Sequence, residues 1–210
     1  MINLSVLFSI LSGLAFIAMV IVYFWQVKKG WSTPHIATWI VWLFATGLNL
    51  PTYFLMLHEG QKHKALPALL VFLGIVVIFT YTLIKKKWGK MGVVGIICLP
   101  VMLSILIFWQ VTNNPVLANF AIQVVAGISF IPIVFGLFKK DAAQDDQDKR
   151  ELKECPYAWY FGTLGYILML IALFIDWQGW KEMIYPLVNG VGNGTVMVIV
   201  HFLWKKKIWH

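Results

Sequence analysis

The chain has 210 residues, of which 60% are hydrophobic and only 12% are charged, and its formal net charge is +8. An ordinary soluble domain carries about 25% charged residues, so this composition excludes that class. The length allows one domain and leaves no room for a soluble catalytic module beside the apolar segments.

Seven apolar stretches follow one another along the chain, each near the roughly 20 residues that a membrane-spanning helix needs. They cover residues 2–26, 35–57, 65–84, 91–111, 115–138, 157–175 and 183–204. Open strands cannot replace them, because lipid offers no partner for unpaired backbone groups. The first stretch lacks a basic leader and a cleavage site, which favours a retained span over a signal peptide. The sequence therefore predicts an all-α integral membrane protein with seven transmembrane helices.

Basic residues are concentrated on one side of the predicted bundle. Fourteen of them follow spans one, three, five and seven, whereas the other side has only Lys62, Lys64 and Lys181. Because basic residues in short loops mark the cytoplasmic face, we expect a multi-pass cell-membrane protein with its N terminus outside and its C terminus in the cytoplasm. The clusters sit at helix ends, where lysine binds lipid headgroups, and they do not indicate nucleic-acid binding.

One long loop, residues 139–156, carries six acidic residues among five basic ones. This mixture predicts a mobile, solvated cytoplasmic linker, and docking of a partner protein stays open as a second interpretation. At the opposite side Asp176 is expected to face water or to pair with Lys181. Most tryptophans, Trp39 included, are expected to lie at the headgroup level.

The order of apolar stretches, prolines and lysine clusters along the chain predicts an internal repeat: three spans, one inverting span and three further spans. Spans three and seven each open with a proline, Pro67 and Pro186, and each ends in a lysine cluster. Proline suits a first helical turn. The fourth span restores the orientation, so the expected architecture is two parallel three-helix bundles, residues 1–84 and 113–210, joined by a linker helix within 85–112. Parallel repeats of this kind occur in transporters, with the substrate site near the midplane between the halves.

Two segments carry a resemblance to a known family. Residues 123–140, QVVAGISFIPIVFGLFKK, resemble the fifth span of the SWEET and PQ-loop superfamily, and residues 34–42, PHIATWIVW, resemble the start of its second span. Pro132 is followed by isoleucine and span one has no proline, so the chain resembles a divergent, bacterial-type seven-span member. The resemblance implies transport of a sugar-like solute.

Polar side chains recur at helical spacing inside four of the spans. Residues three or four apart share a helix face, and depth along each span places the carboxamides in one narrow band. Carboxamides donate and accept hydrogen bonds and aromatic faces cover apolar rings, which suits a neutral hydroxylated or heterocyclic solute. The alternative is hydrogen bonding between helices without a ligand. The candidate substrate-binding residues are Trp42, Asn49, Tyr53, Gln123, Tyr166, Asn189 and Asn193.

Pro132 and Gly127 are the candidate hinge in span five, because proline deletes a helix hydrogen bond and glycine permits close approach. The spans hold no paired carboxylates, which favours passive facilitation over proton coupling. No catalytic constellation, metal-ligand spacing or cofactor motif is present, so we expect neither an enzyme nor a bound cofactor or metal.

The sequence thus favours a transporter that passively facilitates the movement of a small neutral polar solute across the bilayer by alternating access. One alternative is a nucleoside or vitamin carrier, since the aromatic content resembles nicotinamide riboside transporters of the PnuC type. Another is a non-transporting seven-helix receptor or assembly subunit. The lipid bilayer and the solute are the expected partners, and homo-oligomerisation stays open.

Overall fold

The computed structural model describes residues 3–34, 36–85, 93–138 and 154–205. Within these residues the fold is entirely helical and contains no strand. Two 3₁₀ helices, Glu59–Ala65 and Trp180–Met183, lead into α3 and α8. The α-helices are α1 (Leu4–Lys29), α2 (Ile36–Met56), α3 (Leu66–Lys85), α4 (Val93–Thr112), α5 (Pro115–Ser129), α6 (Ile131–Phe138), α7 (Pro156–Ile175) and α8 (Ile184–Lys205).

The helices begin and end where the local sequence supplies caps. The Asn3 Oδ1 atom accepts a hydrogen bond from the Ser5 backbone N–H at 2.9 Å, which satisfies one of the free donors of the first turn of α1. Gly30 ends α1 in the left-handed conformation, with φ at 75°, a conformation that glycine adopts without steric cost. Asn114 caps α5, and Pro115 occupies its first turn, where a missing N–H costs nothing.

Span five, predicted over 115–138 with Pro132 as a candidate hinge, is interrupted. The α-helix ends at Ser129, Phe130 forms a turn, and a second helix, α6, begins at Ile131. Pro132 has no backbone N–H to donate to the carbonyl of Ile128, which weakens a helix at this point.

Contacts between helices join six of them in a closed ring. Following the ring, α1 packs against α3, α3 against α2, α2 against α5, α5 against α8, α8 against α7, and α7 against α1. The contact between α1 and α7 is the most extensive, and α4 packs outside the ring against α2 and α5. The centre of the ring is therefore enclosed by helices from both ends of the chain.

The distribution of polar and apolar side chains between interior and surface is the reverse of that in a soluble protein. Small polar residues are buried between α1 and α7, where the Ser5 hydroxyl donates to the Ala172 carbonyl at 3.0 Å and the Ser12 hydroxyl to the Gly165 carbonyl at 2.7 Å. Large apolar side chains face outward instead, with Ile107 64% and Val191 67% exposed. Such a continuous apolar exterior is suited to lipid and would aggregate in water.

Among the described residues, six segments are long and apolar enough to cross a bilayer, which makes the chain a multi-pass membrane protein. They include α1, α2, α3, α5 with part of α6, α7 and α8. The apolar stretch assigned within α4 is shorter, Pro100–Thr112. That α4 also crosses the bilayer stays a prediction.

The two ends of the bundle differ in charge and in structure. At one end, called here the lysine-rich end, α1, α3 and α8 finish in Lys28, Lys29, Lys85 and Lys205. Tyr160 near the start of α7 bonds to His201 near the end of α8, so α7 begins at this same end. At the opposite end the two 3₁₀ helices lie over the bundle. Residues 139–153 of the predicted loop lie outside the described residues.

Candidate functional site

A cavity lies at the centre of the ring, and all six ring helices line it. Its volume is about 60 Å³, enough for a few water molecules at roughly 10–15 Å³ each. Pockets that enclose drug-sized ligands measure about 300–1,000 Å³. A solute with more than a few heavy atoms therefore fits only when the surrounding helices move apart.

Carboxamide side chains from three helices form a hydrogen-bonded chain across this cavity. The Asn49 Oδ1 atom on α2 accepts hydrogen bonds from Gln123 Nε2 at 2.8 Å and from Asn119 Nδ2 at 2.9 Å, both on α5. The Gln123 Oε1 atom in turn accepts from Asn189 Nδ2 on α8, at 2.8 Å. All four side chains are at least nine-tenths buried. These hydrogen bonds between carboxamides join α2, α5 and α8 at the same depth in the bundle.

Some hydrogen-bonding capacity at the cavity wall is not used by the protein. Asn193 Nδ2 donates to the backbone carbonyl of Asn189, one turn earlier in α8, at 2.9 Å. Within the described residues, no hydrogen bond involves Asn49 Nδ2, Asn189 Oδ1 or Asn193 Oδ1. The carboxamides that line the cavity therefore keep one amide donor and two amide acceptors unused within the described structure.

Aromatic rings form the wall of the cavity toward the lysine-rich end. Trp42 is central: its ring centroid lies 5.5 Å from that of Trp39, 6.2 Å from that of Trp159 and 5.2 Å from that of Phe130. Its indole N–H donates to the Ser129 hydroxyl at 2.7 Å, which fixes the ring against α5 just before the break in span five. Edge-to-face and tilted contacts of this kind hold aromatic rings in defined orientations.

A buried ion-pair cluster closes the opposite end. The Lys64 ammonium, on a side chain that is 1% exposed, lies 3.4 Å from the Asp176 carboxylate and 3.3 Å from the Glu182 carboxylate. Burial alone would raise the pKa of Asp176, but Lys64 and a hydrogen bond from Gln61 hold that pKa below its ordinary value. Asp176 therefore pairs with Lys64, not with Lys181, and the cluster joins the end of α7 to the segments that precede α3 and α8.

A different cluster closes the lysine-rich end. The Tyr23 hydroxyl on α1 donates to Glu154 Oε1 at 2.9 Å, and the Trp159 indole N–H on α7 donates to Glu154 Oε2 at 3.1 Å. Glu154 is 2% exposed, and burial raises its pKa from 4.5 to about 8. Burial likewise raises the pKa of the Cys155 thiol to about 11. The loop thus ends in buried residues, which corrects the expectation that it is solvated as far as residue 156.

Six of the seven residues predicted to bind a solute line the cavity together: Trp42, Asn49, Gln123, Tyr166, Asn189 and Asn193. Tyr53 does not line it. The Tyr53 ring packs against the ring of Tyr185 with centroids 5.4 Å apart, and its hydroxyl has no hydrogen-bond partner among the described residues. Tyr53 therefore lies behind Tyr185, outside the cavity wall.

The two predicted hinge residues flank the break in span five. Gly127 lies close to α8, and a methyl group in its place would approach Val188 Cγ1 to 3.3 Å. The backbone of Pro132 enters the first turn of α6, while its side chain lies outside the described part of the chain. That the two residues act as a hinge stays a prediction.

Sequence reasoning missed several residues of the site. Trp39 is 5% exposed and lines the cavity, which corrects its assignment to the headgroup level, and Tyr23, Trp159 and Tyr185 line the cavity as well. Tyr185 precedes Asn189 by four residues and shares its helix face, but it is not among the seven candidate residues. Nothing in the sequence marks Glu154, because its partners Tyr23 and Trp159 become visible only in the fold.

The cavity lining contains no Asp, Glu, Lys, Arg or His among the described residues. The described residues also contain no group of His, Cys, Asp and Glu side chains that could hold a metal ion. The sequence matches no protein-family model, no curated protein and no solved structure. The chemistry of the cavity is therefore the basis for any assignment of function.

Proposed function

We propose that the protein is a membrane transporter, a passive facilitator that moves a small neutral, sugar-like solute by alternating access between two parallel halves. The observation that carries the proposal is the uncharged cavity at the ring centre, with unused amide groups on its wall and a separate closure at each end. Such a cavity can take up a solute from one side while the other side stays closed.

The contacts between helices support two parallel halves. In the ring, α3 lies between α1 and α2, and α8 lies between α5 and α7. Exchanging α1 with α5, α2 with α7 and α3 with α8 reproduces the same ring of contacts. The pair α1–α7 then corresponds to the pair α5–α2, so the two seams between the halves occupy matching places in the ring, although the α1–α7 seam is the more extensive. The three-plus-one-plus-three architecture, with α4 as the linker, accounts for this pattern.

The lining supports a neutral solute. A charged solute would need a compensating charge in a buried site, and the described lining residues supply none. The Asn49 donor and the acceptors of Asn189 and Asn193 suit hydroxyl or amide groups, and the aromatic wall suits the apolar face of a ring.

The two closures support alternation. The Lys64 cluster joins a segment of the first half to two segments of the second half at one end. The Tyr23–Glu154 hydrogen bond joins α1 to the start of α7 at the other end. Each closure can break without breaking the other, because the cavity separates them. We place the lysine-rich end in the cytoplasm, since basic residues favour that side of the cell membrane.

Counterflow in proteoliposomes tests the proposal. Purified protein is screened with radiolabelled sugars and nucleosides, and a solute that shows counterflow is repeated with Asn193→Ala. This variant is informative because the described hydrogen bond of the Asn193 side chain stays within α8, so its loss disturbs packing little. We expect counterflow to fall about tenfold or more, as expected when a buried hydrogen bond to a ligand is lost.

The control is Gln110→Ala, which removes an exposed carboxamide at the end of α4 and should leave counterflow unchanged. No flux across a broad panel, or a flux that Asn193→Ala leaves at the wild-type value, contradicts the proposal.

A nucleoside or vitamin carrier is the second candidate, and the aromatic wall around Trp42 favours it. A flat heterocycle stacks on such rings and needs fewer hydrogen bonds than a sugar. A rise in the thermal unfolding midpoint with nucleosides and not with sugars would favour this candidate over the first.

A further inference from the structure

Glu154 is a buried acid that the proposed transport of a neutral solute does not use. It lies directly before α7, at the lysine-rich end, and its carboxylate is held by Tyr23 and Trp159. Both of these donors line the central cavity, so the carboxylate lies one side chain away from the cavity wall. Glu154 therefore stands where the cavity must open toward that end.

Among the described residues, the groups that face this carboxylate are neutral. Tyr23 on α1, Trp159 on α7 and the Ser32 hydroxyl in the turn after α1 donate hydrogen bonds to it, and the Cys155 thiol lies beside it. From α2, Trp39 reaches this cluster through its contact with Tyr23. None of the ion pairs among the described residues includes Glu154. A buried carboxylate without a cation is costly, and protonation removes that cost.

Opening of the lysine-rich end changes this balance. The Tyr23–Glu154 hydrogen bond spans the seam between α1 and α7, so parting the helices there breaks it and admits water. A hydrated carboxyl group ionises readily, whereas the enclosed one retains its proton. The closed and open arrangements thus differ in their affinity for a proton.

We propose that Glu154 is a proton-binding site that controls the lysine-rich end of the cavity: the proton is bound when this end is closed and is released to the same side when it opens. The proposal rests on the proposed alternating access. Because the proton enters and leaves on one side, solute movement stays passive, and pH on that side sets how often the cavity opens.

The direction of the pH effect follows from the two pKa values. Burial raises the pKa of Glu154 to about 8 in the closed arrangement, and its ordinary value is 4.5. Between these values the closed arrangement binds more protons than the open one. Raising the pH in this window therefore favours opening, by up to about tenfold in the equilibrium constant per pH unit, and acidification favours closure.

Infrared difference spectroscopy tests the site directly on the full chain in lipid nanodiscs. We expect a carboxylic acid absorption that is present at neutral pH, disappears as the pH rises through about 8 and is missing from Glu154→Gln. In Tyr23→Phe the absorption should persist to higher pH, because a donor that stabilises the carboxylate is lost. Identical spectra of wild type and Glu154→Gln at every pH would overturn the proposal.

A thiol reporter tests the effect on opening. Ala158→Cys places a thiol at the lysine-rich end of the cavity, in a chain that carries Cys98→Ser and keeps the buried Cys155, and the labelling of this chain without Ala158→Cys is subtracted. Its rate of maleimide labelling is divided by the rate of the same reporter with Glu154→Gln, which removes the thiol's own pH dependence. We expect this ratio to rise about tenfold or more between about pH 6 and pH 9. A constant ratio would overturn the proposal.

The control is the same reporter with Asp176→Asn, which alters the opposite end and should keep the wild-type pH dependence. Neither measurement requires a solute. A chain that titrates at Glu154 but carries no solute therefore keeps the proton site and contradicts only the proposed transport function.

Discussion

At the scale of single residues, the Gln123 side chain links the carboxamides of two other helices across the cavity. It donates to Asn49 on α2 and accepts from Asn189 on α8, so one side chain on α5 holds three helices. We expect Gln123→Ala to lower the free energy of unfolding by about 1–2 kcal/mol, since a hydrogen bond between membrane helices contributes about 0.6 kcal/mol on average and up to about 1.7. Unfolding in mixed micelles measures this change.

The matched control for Gln123→Ala is again Gln110→Ala, whose side chain is exposed and whose loss should leave the unfolding free energy within about 0.5 kcal/mol of wild type. Equal effects of the two variants would show that the carboxamide chain does not hold the helices together.

Lys64 is the second residue whose substitution should lower the stability of the protein strongly. Lys64→Met leaves the carboxylate of Glu182, which is 7% exposed, without its cation. Breaking a buried pair by removing one partner costs about 3–5 kcal/mol, and we expect the lower end because Asp176 is 30% exposed. Thermal unfolding in detergent measures the effect.

Lys62→Met is the control for Lys64→Met, because the ion-pair partner of Lys62 is Glu59, which is 97% exposed. That pair contributes about 0–1 kcal/mol and the hydrogen bond from Lys62 Nζ to the Phe54 carbonyl about 1 kcal/mol, so this variant should lose clearly less stability than Lys64→Met. A loss of stability as large as that of Lys64→Met would contradict the assignment of the cluster to the buried closure.

Residue spacing identified the polar residues of the cavity wall, because a four-residue period defines a helix face and the distance from a helix end defines the depth in the membrane. It failed for Tyr53, which lies one turn beyond Asn49 and packs on Tyr185. Spacing also failed for Trp39, since a tryptophan near a helix end suits the headgroup region as well as a bundle interior. The contacts of the Trp39 ring with the rings of Tyr23 and Trp42 show that it lies in the bundle interior.

At the scale of helices, hydropathy located the elements well. The predicted stretch 35–57 corresponds to the helix Ile36–Met56, and 157–175 corresponds to Pro156–Ile175. The agreement is close because a segment that crosses lipid must be both apolar and helical. Hydropathy gave no sign of the break at Phe130, since apolar content is uniform across it. The 3₁₀ helix at Glu59–Ala65 was also missed, because its position depends on the burial of Lys64.

Gly74 allows a close approach of α3 to α1. A methyl group at this position would lie 2.1 Å from Val20 Cγ2, and the branched side chain of valine is too stiff to move away cheaply. We expect Gly74→Ala to destabilise the protein by about 1–3 kcal/mol, the usual range for overpacking, measured as a lower unfolding midpoint.

The double variant Gly74→Ala with Val20→Ala should recover most of that loss, because the shortened side chain makes room for the methyl group. Gly60→Ala is the control, since a methyl group there meets nothing within 4 Å. Absence of recovery in the double variant would show that the contact between Gly74 and Val20 is not the cause.

At the scale of the whole molecule, orientation in the membrane follows from the parity of the helices. With α4 crossing the bilayer, α1, α3 and α8 all finish on one side, where Lys28, Lys29, Lys85 and Lys205 lie. The bond between Tyr160 and His201 and the bond between Tyr23 and Glu154 place the end of α8 at the same end of the bundle as the end of α1, which agrees with an α4 that crosses. The positive-inside rule therefore favours seven crossings with the C terminus in the cytoplasm.

Reporter fusions check this topology. A green fluorescent protein fused after the C terminus should fluoresce, because it folds in the cytoplasm, and alkaline phosphatase fused there should be inactive. Phosphatase fused after residue 60, in the 3₁₀ helix between α2 and α3, should be active outside the cell. The same reporter after residue 113, between α4 and α5, should also be active, since both sites lie at the opposite end. An inactive fusion at residue 113 with an active one at residue 60 would mean that α4 does not cross, and the two halves could not then be parallel.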